Sequence, residues 1–147
     1  MKSVCVYHSI DLDGWMSAAI VKHWFITNTV KNLLDININN PNILEFIGYN
    51  YGQPIPDLSE YDKVIMCDIS FPKEEMNKLS EPLGKLVWID HHKSAMLENA
   101  SLECKGWRDI EFAACELTWK YFFPEQQIPE IVRLLGRYDC FGHRQIW

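Results

Sequence analysis

The sequence has no C-x-x-C pair, although it contains five cysteines: Cys5, Cys67, Cys104, Cys115 and Cys140. An odd count without paired spacing suggests neither a disulfide framework nor a zinc ribbon. Cys5 and Cys67 fall inside apolar, strand-like runs and read as buried thiols. A reducing, cytoplasmic setting is expected. No apolar run reaches about eighteen residues, the length a membrane helix needs. The opening MKSVCVYH carries one lysine and is soon followed by Asp11 and Asp13, unlike a secretory leader. Lysine and arginine form no run, and net charge is −6. Such a chain attracts nucleic acid poorly by itself. If its substrate is a phosphate ester, bound cations must supply the positive charge.

What is present fits one α/β domain. The chain has 147 residues, 48% of them hydrophobic, enough for a sizeable core and too few for two large domains. Residues 3–8 read as a Val-rich strand, and 15–29 as a helix with Met16, Ala19, Ile20, His23 and Trp24 at three- and four-residue steps. The Asn-rich stretch 32–42 reads as a loop. Further strands are expected at 43–49, 63–68 and 85–90. Helices are expected from Pro72 to about Ser80, over 110–123 closed by Pro124, and over 129–137. Alternation of this kind predicts a parallel sheet flanked by helices.

The chemistry-bearing residues follow strands. His8 ends the first, with Asp11 and Asp13 in the next turn; Asp68 ends the third; Asp90, His91 and His92 end the fourth. Ligands of open parallel sheets bind beyond the carboxyl ends of the strands, so these residues are expected on one rim. Singly, each Asp also reads as a helix cap or turn residue, Asp13 above all. Gathered together, the carboxylates would repel unless a cation neutralised them. Carboxylate and imidazole donors without thiolate suit Mn²⁺, with Mg²⁺, Fe²⁺ or Co²⁺ as alternatives. Two such ions about 3.5–4 Å apart would clamp a phosphoryl centre and activate water.

Four segments, in order, resemble the motifs of the DHH phosphoesterases. IDHHKS (89–94) resembles the Asp-His-His signature, and YHSIDLDGWMSAAI (7–20) the first motif. VIMCDIS (64–70) is similar to the second, GRYDCFGH (136–143) to the fourth. The resemblance implies a Rossmann-like catalytic domain over residues 1–147 that holds two Mn²⁺ ions. Asp68 would bridge them, with His8 and Asp11 on one ion and Asp13, His91 and Asp139 on the other. His92 would face the substrate phosphate, and Asp90 would orient the histidines. Two residues rather than the frequent three separate His8 from Asp11. The Gly- and His-rich signature of the family's C-terminal substrate-binding domain is missing.

The expected activity is hydrolysis of phosphodiester bonds in short oligonucleotides, single strands or cyclic dinucleotides. Inorganic pyrophosphatase, and a metal- or nucleotide-binding domain without turnover, are the alternatives. Outside the motifs, His23 reads as a packing or surface residue, and His143 as a neighbour of Asp139. Arg133 and Arg137 read as a solvated face sooner than a phosphate-binding pair, and Glu116 as solvated. Trp15, Trp24 and Trp119 read as core.

Phosphate contacts supply most affinity for nucleic acid, and this chain is acidic. The 147 residues alone are therefore expected to gain thermal stability from divalent metal while cleaving oligonucleotides weakly. Melting curves with and without Mn²⁺, beside a single-strand cleavage assay, check this; efficient cleavage refutes it.

Overall fold

The computed structural model describes residues 1–31 and 42–140. Its centre is a four-stranded, all-parallel sheet made of β1 (Lys2–His8), β2 (Ile43–Tyr49), β3 (Lys63–Cys67) and β4 (Leu86–Ile89), in the order β2-β1-β3-β4. Among the described residues five helices accompany it: α1 (Leu12–Lys31), α2 (Lys73–Ser80), α3 (Lys93–Glu98), α4 (Ala114–Phe122) and α5 (Glu130–Asp139). The expected α/β class and parallel sheet are thus present. Among the described residues, no helix is long and apolar enough to cross a membrane.

Strand periodicity splits the core in two. Val4, Val6, Val64, Met66, Leu86 and Trp88 face one side, where Met76 of α2 and Ala95 of α3 pack. Cys5, Tyr7, Ile65, Cys67, Val87 and Ile89 face the other, against Ala18 and Val21 of α1 and Leu117 of α4. A third cluster joins α1, α4 and α5 through Ile20, Cys115, Trp119 and Val132. Each fully buried Val, Leu, Ile or Met contributes about 1.5–3 kcal/mol. Trp88 is buried without loss because its Nε1 donates to the Ile69 carbonyl at 3.1 Å.

The departures from expectation are local. Helix α4 starts at Ala114 rather than 110, because Asp109 first takes the Glu111 N–H in an Asx-type turn. Helix α3 was not anticipated; its six residues bury only Ala95, too little for a periodic signal. Strands β3 and β4 release the chain one residue early, at Asp68 and Asp90. The helix expected to end at 137 continues to Asp139. The loop expected at 32–42 lies, apart from Asn42, outside the described residues.

Order β2-β1-β3-β4 sends the chain in opposite directions from β1, so the switch point lies between β1 and β3. His8 and Asp68 close the two strands flanking it. Helix α1 starts tightly against this end of β1. A Cβ on Gly14 would stand 2.0 Å from the His8 carbonyl oxygen. Gly14→Ala is therefore expected to destabilise the protein by about 3 kcal/mol or more. Urea unfolding checks this; a variant as stable as wild type would refute the close approach.

Candidate metal centre

Each strand end delivers its residues by a separate local device. After β1 the chain turns so that the Gly14 N–H donates to Asp11 Oδ1 at 3.0 Å, opening α1. After β3, Asp68 adopts φ +63°, a region that Asp tolerates better than most residues, while its N–H donates to the Ile89 carbonyl at 2.9 Å. After β4, the wholly buried Asp90 accepts three bonds at Oδ1. They come from the His91 N–H at 2.8 Å, the His92 N–H at 3.2 Å and the His92 ring Nδ1 at 2.7 Å. Asp139 comes from the end of α5.

The side chains converge. His8 Nδ1 lies 2.8 Å from Asp11 Oδ2 and 3.4 Å from Asp68 Oδ2. His91 Nε2 lies 3.2 Å from Asp68 Oδ1 and 3.5 Å from both Asp13 Oδ2 and Asp139 Oδ2. His92 Nδ1 is 3.8 Å from Asp68 Oδ1. Asp68 therefore turns one oxygen to His8 and the other to His91. Despite the short spacing to Asp11, His8 reaches the rim. Among the described residues, three triads hold potential ligand atoms within 4.8 Å of one another: His8/Asp11/Asp68, Asp68/His91/His92 and His91/Asp139/Cys140.

These residues fit divalent cations on a structural ground. Asp68 is 1% exposed, yet neither carboxylate oxygen, nor His8 Nδ1, has a hydrogen-bond partner among the described residues. The atoms are close without the directionality of hydrogen bonds, and a buried carboxylate is costly unless compensated. Asp13 differs. Its two oxygens accept the N–H groups of Ala114 at 2.9 Å and Cys115 at 2.7 Å, so it caps α4 from a distant part of the chain. The cap anticipated for Asp13 exists, but on a different helix.

Electrostatics reflect the crowding. Burial, then the nearby Asp68 charge, raises Asp13 to about 7. Burial likewise raises Asp11 and Asp139. For Asp68 burial works upward, but His8 and His91 outweigh it and lower the group to about 2. The Asp68 interaction raises His8 to about 9 against its own burial. Burial would lower His91, but Asp68, Cys140 and Asp13 together raise it to about 11. Asp90 raises His92.

Several residues stand apart from expectation. Asn50, just past β2, brings Oδ1 to 3.1 Å from His8 Nε2, and Cys140 Sγ lies 3.6 Å from His91 Nδ1. Asn50 is not a usual metal ligand, and Cys140 follows α5 rather than a strand, so no strand-end signal marks either. Arg137 is no phosphate ligand in waiting: it pairs with Glu116 and donates to the Glu111 carbonyl at 3.0 Å. Glu116 is buried rather than solvated, and it also accepts the Ala113 N–H at 3.0 Å. Arg133 pairs with Glu130 on the surface. His23 stacks over Trp119 and lies tilted against Phe123, as a packing residue does. Trp15 is half exposed rather than core, with Nε1 donating to the Ser9 carbonyl at 3.0 Å. His143 lies outside the described residues.

The model of the DHH family, N-terminal domain, matches residues 3–135. The chain therefore belongs to the DHH family, whose members are generally metal-dependent phosphoesterases that act on nucleotide or phosphoester substrates. It is also similar to an uncharacterized protein of Acanthamoeba polyphaga mimivirus, 27% identical over 146 residues. That alignment covers 96% of this chain and 34% of the viral protein, so the chain spans about a third of that relative's length. No solved structure matches.

A pH dependence follows. His8 and His91 are raised above the ordinary 6.5, so their interactions with the carboxylates stabilise the metal-free fold fully below that pH. The His8 share is lost as pH rises through about 9. Cation binding displaces ring protons, so it strengthens over the same interval. The melting temperature in EDTA is expected to fall from pH 7 to 9, while the increment from Mn²⁺ grows. Opposite trends in a melting series would refute the assignment.

Proposed function

We propose that this chain hydrolyses phosphodiester bonds, with short oligonucleotides, single strands or cyclic dinucleotides as the substrate class. The observation that carries the reading is Asp68: a buried carboxylate without hydrogen bonds among the described residues, each oxygen aimed at a different histidine. Such an acid is built to be shared. His8 and Asp11 would hold one divalent ion with it, and His91, Asp13 and Asp139 a second. The mixture of imidazole and carboxylate donors favours Mn²⁺, with Mg²⁺ or Co²⁺ as substitutes. When bound, the ions would activate water and neutralise phosphate charge.

The protein's own groups do the rest. Asp90 fixes the His92 ring through Nδ1, leaving Nε2 for a non-bridging phosphate oxygen. Asp90 also holds the backbone between the two histidines, so they move as one unit. Asp13 ties α4 to the rim and takes part in ligation from a position that cannot swing away. Residues 1–147 act as the catalytic domain, and the free thiols suit a cytoplasmic setting.

Asp68→Ala is expected to remove turnover and weaken binding of both ions, since one carboxylate serves each. Calorimetric Mn²⁺ titration and a phosphodiesterase assay on a small generic diester and on short RNA check this. Near wild-type activity in the variant would refute the shared role.

A further inference from the structure

The short turn after β2 carries no acid or histidine, yet it touches the metal-facing rim. Asn50 Oδ1 is 3.1 Å from His8 Nε2. An amide oxygen and nitrogen are easily exchanged in assignment, and a ring nitrogen can donate or accept. Here a second bond removes both ambiguities. The Tyr51 backbone N–H, which can only donate, points at the same Asn50 oxygen at 2.9 Å. That atom must be the carbonyl oxygen, and the ring nitrogen facing it must carry a hydrogen. The proton of a neutral His8 therefore sits on Nε2, and the lone pair sits on Nδ1.

Nδ1 is the nitrogen that faces Asp11 Oδ2 at 2.8 Å and Asp68 Oδ2 at 3.4 Å. A lone pair aimed at two carboxylates is repulsive unless a second ring proton or a cation stands between them, and a bound cation would take that proton's place. Resting on the metal-centre reading above, we propose that Asn50 is the positioning residue of His8, holding Nε2–H so that Nδ1 is presented to a divalent cation. The turn is braced for this purpose. The Asn50 N–H donates to Gln53 Oε1 at 2.9 Å, and the Gln53 N–H returns to the Asn50 carbonyl at 3.1 Å. The Ser9 N–H also donates to the Tyr49 carbonyl at 3.0 Å, locking the ends of β1 and β2 together. With only two residues between His8 and Asp11, the ring offers its near nitrogen to the cluster, and its far nitrogen needs an external partner. An amide oxygen fills the place that a carboxylate or backbone carbonyl takes beside many metal-bound histidines.

Two measurements test this on the 147-residue chain. In protein loaded with diamagnetic Mg²⁺, long-range nitrogen–proton spectra are expected to place the His8 proton on Nε2, in slow exchange with water. A proton on Nδ1 overturns the proposal without any variant. In calorimetric Mn²⁺ titrations, Asn50→Ala is expected to weaken binding about 10- to 100-fold, the usual effect of losing such a partner. Asn50→Asp, which keeps an acceptor there, is expected to bind at least as tightly as wild type. Gln53→Ala removes the side-chain brace but keeps the backbone bond of the turn and the Asn50 oxygen facing His8, and is expected to weaken binding much less than Asn50→Ala. Wild-type affinity in Asn50→Ala, or equal weakening by Gln53→Ala, overturns the positioning role alone. Failure of the wild type to bind Mn²⁺, or undiminished binding by His8→Ala, overturns the metal-centre reading and this inference with it.

Discussion

One buried negative charge organises the rim of this sheet. Asp68 is almost wholly removed from water and makes no hydrogen bond through its carboxylate among the described residues. A lone carboxylate in that position would take up a proton, yet the flanking histidines hold this one at about 2. The fold must therefore keep cationic or cation-binding groups on both sides of it. Parallel strands with a switch point beside β1 do this economically, because His8 and Asp68 leave adjacent strands at the same level. The left-handed backbone of Asp68 costs about 1–3 kcal/mol, a strain found where surrounding structure fixes a functional side chain.

The second support runs through Asp13. Its carboxylate receives two N–H groups at the start of α4, about a hundred positions along the chain. The positive end of a helix favours an anion there. Burial, with the charges of Asp68 and Asp139, nevertheless keeps the group raised to about 7, so the N–H groups at the start of α4 only partly offset its desolvation. Through this contact the helix layer and the candidate metal centre become one electrostatic unit. In the same first turn, Glu116 accepts the Ala113 N–H and pairs with Arg137, joining α4 to α5, which ends at Asp139.

The architecture was legible because its signals are local and periodic. The Val-rich strand through His8, the apolar runs before Asp68 and Asp90, and Pro72 before α2 each announce an element within a few residues. The candidate cluster was legible too, since strand ends of a parallel sheet share one rim. What escaped depends on long-range geometry. Nothing near Asp13 tells that its partner is α4, and Glu116 looks like any solvated helix charge until Arg137 is placed beside it. Asn50 resembles an ordinary turn residue after a strand; only its distance from His8 distinguishes it. Helix α3 escaped because six residues with one buried side chain leave no pattern to find.

The segment 105–109 runs along the free edge of β4, pairing with it through bridges from Lys105 to Val87 and from Arg108 to Asp90. The Trp88 N–H donates to the Lys105 carbonyl at 2.9 Å and the Asp90 N–H to the Trp107 carbonyl at 3.1 Å, while the Asp109 N–H returns to the Asp90 carbonyl at 3.2 Å. Gly106, at φ +121°, passes so near Trp88 that a Cβ would stand 1.9 Å from its carbonyl oxygen. The residue that holds both histidines is thus itself held by a stretch carrying none of the reactive groups. A genetic map of inactivating changes in this protein would extend into that stretch, and its alleles would mimic loss of the histidines themselves.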